Sequence, residues 1–406
     1  MKTCTGLAAA AIVAAAPACA LAQGSVALYG AVDLGVLSIS HVSGSRVGYV
    51  PSPADQGHKT LMKDGGIGAS FWGLRGREDL GGGLAATFQL QGNINAKDGT
   101  TGGPNSSAGT SFFNQFSTVG LAGPWGEVKF GRQVSPMYYA MASTDARAAR
   151  YFGSVLTGLV ALNSASGAWA GNNSNPAFGT VYNDNAIVYN APAWNGLSFS
   201  AEYALGETAG STKANSQQAL AAIYANGGLR LSALWYNGYG NNLDTATALF
   251  TAATGSAAAG AAAAAAAGFS PTANTNRLAA VGALYTRGAW TASASYFQAR
   301  NPAHAIVRNG SDRLDMWTLG AGWKPNAALN ITAGYYRIKD RHNAGNHASQ
   351  LAAGAEYALS RRTLVYLEGA AVRNTGANMN FSPVYATPVP ANTNVHAFMA
   401  GVRHVF

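Results

Sequence analysis

The sequence predicts an all-β fold: a 16-stranded antiparallel transmembrane β-barrel. Three observations carry that prediction. Charged residues are only 11% of a 406-residue chain, against the roughly 25% usual in a soluble domain. Mean hydropathy is nonetheless only +0.03, and no stretch offers the ~18 strongly apolar residues of a spanning helix. Apolar residues instead alternate with small or polar ones over segments of about 10 residues, as a strand with one lipid face requires. Abundant aliphatic and aromatic residues argue against disorder.

Taken in order, residues 1–22 read as a secretory signal. Lys2 is the basic start, Leu7 to Ala16 the apolar stretch, and Ala20-Leu21-Ala22 the cleavage site, leaving 23–406 for the barrel. Cys4 and Cys19 are the only cysteines and both fall in the signal, so the mature chain has neither disulfide nor thiolate metal site. Ala16-Pro17-Ala18 lacks the leucine expected before a lipidated Cys19. The first strand begins at Val26-Ala27-Leu28-Tyr29-Gly30-Ala31-Val32-Asp33-Leu34. Seven short turns then follow: Asp79-Leu80-Gly81-Gly82, Gly123-Pro124-Trp125-Gly126, Ala193-Trp194-Asn195-Gly196, Asn226-Gly227-Gly228, Arg287-Gly288-Ala289, Pro325-Asn326-Ala327 and Ser360-Arg361-Arg362. Gly, Pro and Asn supply the backbone conformations such turns need. Seven short turns, with both termini on the short-turn side, make eight longer loops and sixteen strands. Unequal spacing makes two loops long, one after the fifth strand and one holding the Ala-rich tract Ala257 to Phe269. That tract is expected to be a low-complexity loop insert with at most a helical turn. In the last strand Phe406, His404, Val402, Ala400 and Phe398 form the lipid face, which points Arg403 inward.

At this point the chain resembles the trimeric general porins of Gram-negative outer membranes, those of β-proteobacteria in particular. The resemblance spans the mature chain. It rests on Ser25-Val26-Ala27-Leu28-Tyr29-Gly30, Trp72-Gly73-Leu74-Arg75-Gly76, Glu78-Asp79-Leu80-Gly81-Gly82-Gly83-Leu84 and Val119-Gly120-Leu121. Further along come Phe130-Gly131-Arg132-Gln133, Asp184-Asn185-Ala186-Ile187-Val188-Tyr189-Asn190-Ala191-Pro192, Ala358-Leu359-Ser360-Arg361-Arg362-Thr363 and the terminal Arg403-His404-Val405-Phe406. It implies a barrel with loop 3 folded into the lumen from near Val134. Acidic groups on that loop would face a ladder of arginines on the wall, and net basicity would favour anions. It also implies a homotrimer among outer-membrane lipid and lipopolysaccharide, passing small hydrophilic solutes and ions without a cofactor.

Carried over residue by residue, the resemblance makes Arg75 a wall cation, on the same face as Gly73 and Arg77. Arg132 falls at the root of loop 3. Asp145, the only acid between Val134 and Ala177, becomes the candidate acidic side, with Arg147 and Arg150 nearby. The sequence also departs from the pattern. Phe71 and Gln115 replace arginines, and Val188 and Ala31 stand where relatives carry basic residues. The ladder is therefore depleted. Tyr138, Tyr139, Tyr151 and Phe152, with Phe71, suggest a less polar constriction suited to a solute with an apolar part.

Other readings are weaker. Asp145 could serve simply as a turn former, and loop cations such as Arg46, Lys59, Lys97, Arg308 and Lys339 could meet lipopolysaccharide phosphates or water. The seven histidines show no metal-ligand spacing. No G-x-S-x-G element suggests an outer-membrane hydrolase, and no basic stripe or reading helix suggests nucleic acid. An adhesin or structural barrel, using the long loops as binding elements, is the alternative to a channel.

Overall fold

The computed structural model describes residues 25–43, 54–101, 112–163, 181–240, 243–273, 275–301, 312–376 and 379–406. The expected signal at 1–22, with Arg46 and Arg308, lies outside them. The strands are β1 (Ser25–Ile39), β2 (Lys59–Asp64), β3 (Phe71–Gly81), β4 (Leu84–Asn93), β5 (Phe116–Gly123), β6 (Gly126–Val134), β7 (Tyr182–Asn190), β8 (Leu197–Ala204), β9 (Gln217–Asn226), β10 (Leu229–Tyr239), β11 (Thr275–Arg287), β12 (Trp290–Arg300), β13 (Arg313–Trp323), β14 (Leu329–Asp340), β15 (His347–Ala358), β16 (Thr363–Thr375) and β17 (Val395–Val405). All pair antiparallel with their neighbours in one sheet, and β17 returns to β1. β2 and β3 are two parts of one wall strand: β2 pairs with Leu34–Ile39 of β1, and β3 with Ser25–Ala31. Sixteen positions around the wall are thus filled, as the turns predict, and all seven predicted turns join strands. Asn195 (φ 47°) and Gly196 (φ 84°) show why the turn chemistry is legible: a tight hairpin turn with two positive φ values favours Asn-Gly.

The wall has the expected two faces. Leu28, Leu319, Leu351, Leu367 and Phe398 are each about 60% exposed on the outside, where lipid replaces water as their surroundings. Among the described residues no helix is long and apolar enough to cross a membrane. The last strand keeps the predicted register, with Val402 and Phe398 outward and Arg403 inward. Phe406 closes the seam: its N–H donates to Gly30 O at 3.0 Å and its carbonyl accepts from Gly30 N–H at 3.1 Å.

The break between β2 and β3 is organised by Asp33, which is fully buried. Its carboxylate accepts the N–H groups of Gly66 (3.1 Å), Ile67 (3.0 Å) and Gly68 (3.0 Å), the Tyr366 hydroxyl (2.8 Å) and Arg403 Nη1 (3.1 Å). A Cβ at Gly66 would stand 2.5 Å from the Tyr366 ring, so only glycine lets the chain pass there.

One element differs from expectation. The Ala-rich tract forms α4 (Ala257–Ala266), which packs with the preceding α3 (Leu243–Thr254) as a helical hairpin in the loop between β10 and β11. Alanine has the highest helix propensity, and the Ser256 hydroxyl caps α4 by accepting the Ala259 N–H at 3.3 Å.

Asp33→Ala is expected to cost about 3–5 kcal/mol, because it leaves Arg403 facing orphaned backbone donors in a buried site. The midpoint of barrel unfolding on unheated gels should fall; an unchanged midpoint would show that the bulge holds itself.

Candidate functional site in the lumen

Between β6 and β7, loop 3 runs along the inward face of the wall. It carries α1 (Pro136–Ser143) and α2 (Val155–Asn163). Pro136 opens α1, where its fixed φ suits a first helical position. Ser135 Oγ donates to Glu202 at 2.6 Å, fixing the loop's root to β8. Thr144 then meets Ser232 of β10 at 2.9 Å, Ala146 N–H donates to Ser293 of β12 at 3.1 Å, and Thr157 accepts from Gln350 of β15 at 3.3 Å. Glycines on the wall make room for it: a Cβ at Gly282 would stand 2.2 Å from Thr144, and one at Gly320 would stand 2.8 Å from Ala146.

Arg147 is the loop's main anchor and is fully buried. Its Nε donates to Gly153 O (2.6 Å), its Nη1 to Thr332 O and Oγ1 (both 3.2 Å), and its Nη2 to Phe152 O (2.9 Å) and the Glu368 carboxylate of β16. Arg150 pairs with Glu356 of β15 through Nε at 2.6 Å and donates Nη1 to Arg147 O at 2.7 Å. Asp145 is buried too. It accepts the N–H groups of Ala149 (3.0 Å), Val155 (3.2 Å) and Arg147 (3.3 Å), and the Tyr336 hydroxyl at 2.9 Å. The polarity expected from the resemblance is therefore reversed at this contact: the loop supplies arginines and the wall supplies glutamates. Asp145 does not stand as a free lumen acid, because the turn at Ala148 (φ 51°) and Ala149 (φ 52°) uses its carboxylate as acceptor. Burial beside Asp145 pushes the neighbouring Tyr138 phenol up to about 12, so it stays neutral.

The wall away from these contacts carries the remaining predicted residues. Arg75 and Arg77 are exposed on the inward face of β3, and the Arg75 guanidinium lies 4.9 Å from the Tyr29 ring centre. Phe71 packs edge-on against Tyr29 with ring centres 6.0 Å apart. Tyr29 donates to Gln91 at 2.7 Å and accepts from Gln89 at 2.7 Å. Gln115 is buried and accepts from Gln91, so it completes a neutral belt rather than projecting into solvent. Val188 and Ala31 are likewise inward and buried. Arg132 is buried, donating to Asn114 O at 2.6 Å and pairing with Asp184, so it ties the loop's root rather than lending the lumen a free charge. Of the expected aromatics, Tyr139 is half exposed and Phe152 fully buried, while Tyr151 packs tilted against Tyr385 with ring centres 4.4 Å apart.

Below the belt, Arg75, Arg77, Glu127 and Lys129 line a recess of about 380 Å³; above it, Lys59, Lys63, Lys97, Asp64 and Tyr151 line another of about 320 Å³. Among the described residues no carboxylate oxygen lies within 4.0 Å of Lys59, Lys63, Arg75 or Arg77. Sequence reasoning missed Tyr29, Gln89, Gln91, Lys129, Glu356 and Glu368. Strand parity was the available signal: Gln89 and Gln91 alternate with Phe88 and Leu90, and Glu368 is the single acid of β16.

A closed sheet, apolar outside and polar within, with a long loop anchored to its inner face, defines a transmembrane β-barrel with a loop-lined lumen. The comparisons with known proteins agree. The chain belongs to the Gram-negative porin family, whose pattern matches residues 8–377, and it is an outer-membrane porin. It is 29% identical to outer membrane porin protein 32 of Delftia acidovorans over 97% of both chains. It shares the fold of an anion-selective porin from Comamonas acidovorans (TM-score 0.70, 24% identity, 94% of this chain and 100% of that one). The trimer form of OmpT from Vibrio cholerae aligns at TM-score 0.58 with 16% identity, over 94% of this chain and 99% of that one. The family favours a channel over the adhesin alternative.

Arg147→Gln is expected to free loop 3 from β16, since it leaves Glu368 buried without its counter-charge. Single-channel conductance in planar bilayers should rise and become noisier. Wild-type conductance from a folded barrel would show that the other contacts suffice.

Proposed function

We propose that this porin is a passive, mildly anion-preferring channel for small hydrophilic solutes and ions, with loop 3 as its constriction, working as a homotrimer in outer-membrane lipid and lipopolysaccharide. One observation carries the charge preference. Asp145 is taken up by backbone and Tyr336, Glu356 and Glu368 by loop arginines, Asp184 by Arg132 and Glu127 by Lys129, while among the described residues Arg75 and Arg77 face the lumen without a carboxylate partner. Unpaired cations lining a narrow pore set its selectivity. Ionic screening limits their reach to about 8 Å at physiological salt, and the neutral belt of Tyr29, Gln89 and Gln91 keeps the preference modest. The trimer is supported by the trimeric Vibrio neighbour and by residues on the outer wall near the seam, where Val36 and Val402 present apolar surface. The signal at 1–22 would direct export.

A reversal potential under a KCl gradient should favour chloride. Arg75→Gln with Arg77→Gln should reduce the permeability ratio about twofold or more, given Coulomb terms near 1 kcal/mol at close range in water. The preference should also fade between 0.1 and 1 M salt, as the screening length drops from about 10 to about 3 Å. Equal permeabilities in the wild type would overturn the proposal.

The aromatic groups along the path, Tyr29, Phe71, Tyr139 and Tyr151, support a further preference for anions with an apolar part. A small aromatic carboxylate should permeate faster than a sugar acid of equal size and charge; equal fluxes would sink that preference.

A further inference from the structure

The recess of about 320 Å³ at the long-loop mouth of the lumen is built from three parts of the chain. Strand β2 forms one side. Lys59 and Lys63 stand opposite Ile39 and Gly35 of β1, and Ile39 is buried in the interior. Parity therefore turns both lysines inward, with Leu61 between them. Four residues of strand separate the two, about 13 Å at 3.3 Å per residue. Loop 3 and the loop between β16 and β17 form the other side. Tyr385 N–H donates to Tyr151 O at 2.8 Å, and Ser43 N–H donates to Pro388 O at 2.9 Å. The Tyr151 and Tyr385 rings, 4.4 Å apart, thus line the recess as a fixed aromatic pair.

Each end of this recess joins a cation to an unsatisfied polar atom. At the outer end, Ser43 follows β1 beyond Ile39, the partner of Lys59. At the inner end, Asn93 pairs with Phe71, just past the break that follows Lys63. Both polar side chains are buried. Ser43 Oγ and Asn93 Oδ1 have no hydrogen-bond partner among the described residues. Asn93 Nδ2 donates to Ser70 O at 3.3 Å, which leaves Oδ1 as an acceptor in need of a donor. Buried polar atoms of this kind are costly to leave unmade. Among the described residues no carboxylate oxygen lies within 4.0 Å of Lys59 or Lys63. The other charges lining the recess are engaged: Lys97 pairs with Asp98 at 3.3 Å, and Asp64 accepts the Ala96 N–H at 3.0 Å. The lining is therefore polar and cationic at both ends and apolar in the middle.

We propose that this recess is an entry site for a hydroxylated aromatic carboxylate. The carboxylate accepts from Lys59 and Ser43 Oγ. The ring lies against Leu61, Tyr151 and Tyr385. The hydroxyl, across the ring, donates to Asn93 Oδ1 and accepts from Lys63. An inorganic anion leaves the Asn93 acceptor unmet, and a sugar acid sets hydroxyls against the apolar middle. The site deepens the preference for anions with an apolar part and rests on that reading.

The test titrates the folded porin with 4-hydroxybenzoate, benzoate and 4-hydroxybenzyl alcohol, with binding read by ligand-observed NMR. Wild type should bind 4-hydroxybenzoate saturably. Benzoate, which lacks the hydroxyl, should bind about fivefold more weakly, the worth of one net hydrogen bond. The neutral alcohol should bind about tenfold more weakly, because it loses the attraction of the lysines. Lys59→Gln with Ser43→Ala should weaken 4-hydroxybenzoate by about tenfold. Equal affinities for 4-hydroxybenzoate and benzoate overturn the proposal without any variant having to fold. So does undiminished binding by the double variant, which would place the ligand elsewhere. Absence of saturable binding alongside a chloride-favouring reversal potential overturns the site and leaves the charge preference standing. Saturable, hydroxyl-selective binding alongside equal ion permeabilities upholds the site and overturns the charge preference.

Discussion

In hydrocarbon, a backbone N–H or C=O without a partner costs several kcal/mol, because no water can replace it. Closing the sheet at the seam between β1 and β17 is therefore the condition for everything else in this molecule. Nine register pairs, from Ala31 with Val405 to Ile39 with Ala397, remove the two edges that an open sheet would expose to lipid. The terminal Phe406 adds the last two bonds on to Gly30. Once the seam is shut, strand parity has no freedom left. Each residue faces either lipid or lumen, and a one-residue slip would put Arg403 into the membrane.

Within that frame the interior is organised by buried charge. Two networks do most of it. Asp33 collects three backbone N–H groups, Tyr366 and Arg403, which lets the wall break between β2 and β3 without stranding donors. Arg147 does the converse for loop 3, spending its donors on four carbonyl or hydroxyl oxygens and Glu368. The Asp33 carboxylate and the Arg147 guanidinium are thereby left with nothing for a solute. That explains why residues that look like pore electrostatics by position are architectural. Under the charge preference proposed above, the field falls to Arg75 and Arg77, which stay exposed on the inward face of β3.

Much of the fold was legible because turns and alternation are local. Asn195-Gly196 dictates a hairpin from its own backbone preferences, and Val26 to Leu34 announces two faces without knowing its neighbours. The Ala-rich tract was underread because its weak hydrophobicity was weighed and its helix propensity was not. The site was less legible. Asp145 and Arg147 lie two residues apart, and nothing local distinguishes a carboxylate aimed at water from one aimed at Ala149 and Val155.

The sequence by itself determined the barrel, its strand count, its turns and its lipid face. Each follows from periodicity and turn chemistry within about a dozen residues. Only the tertiary structure decided which charges are spent. Arg147 meets Glu368 across 221 positions of chain, and Arg403 meets Asp33 across 370. Charge pairing depends on distance in space, and a side chain's neighbours across a closed sheet are set by register rather than by sequence separation.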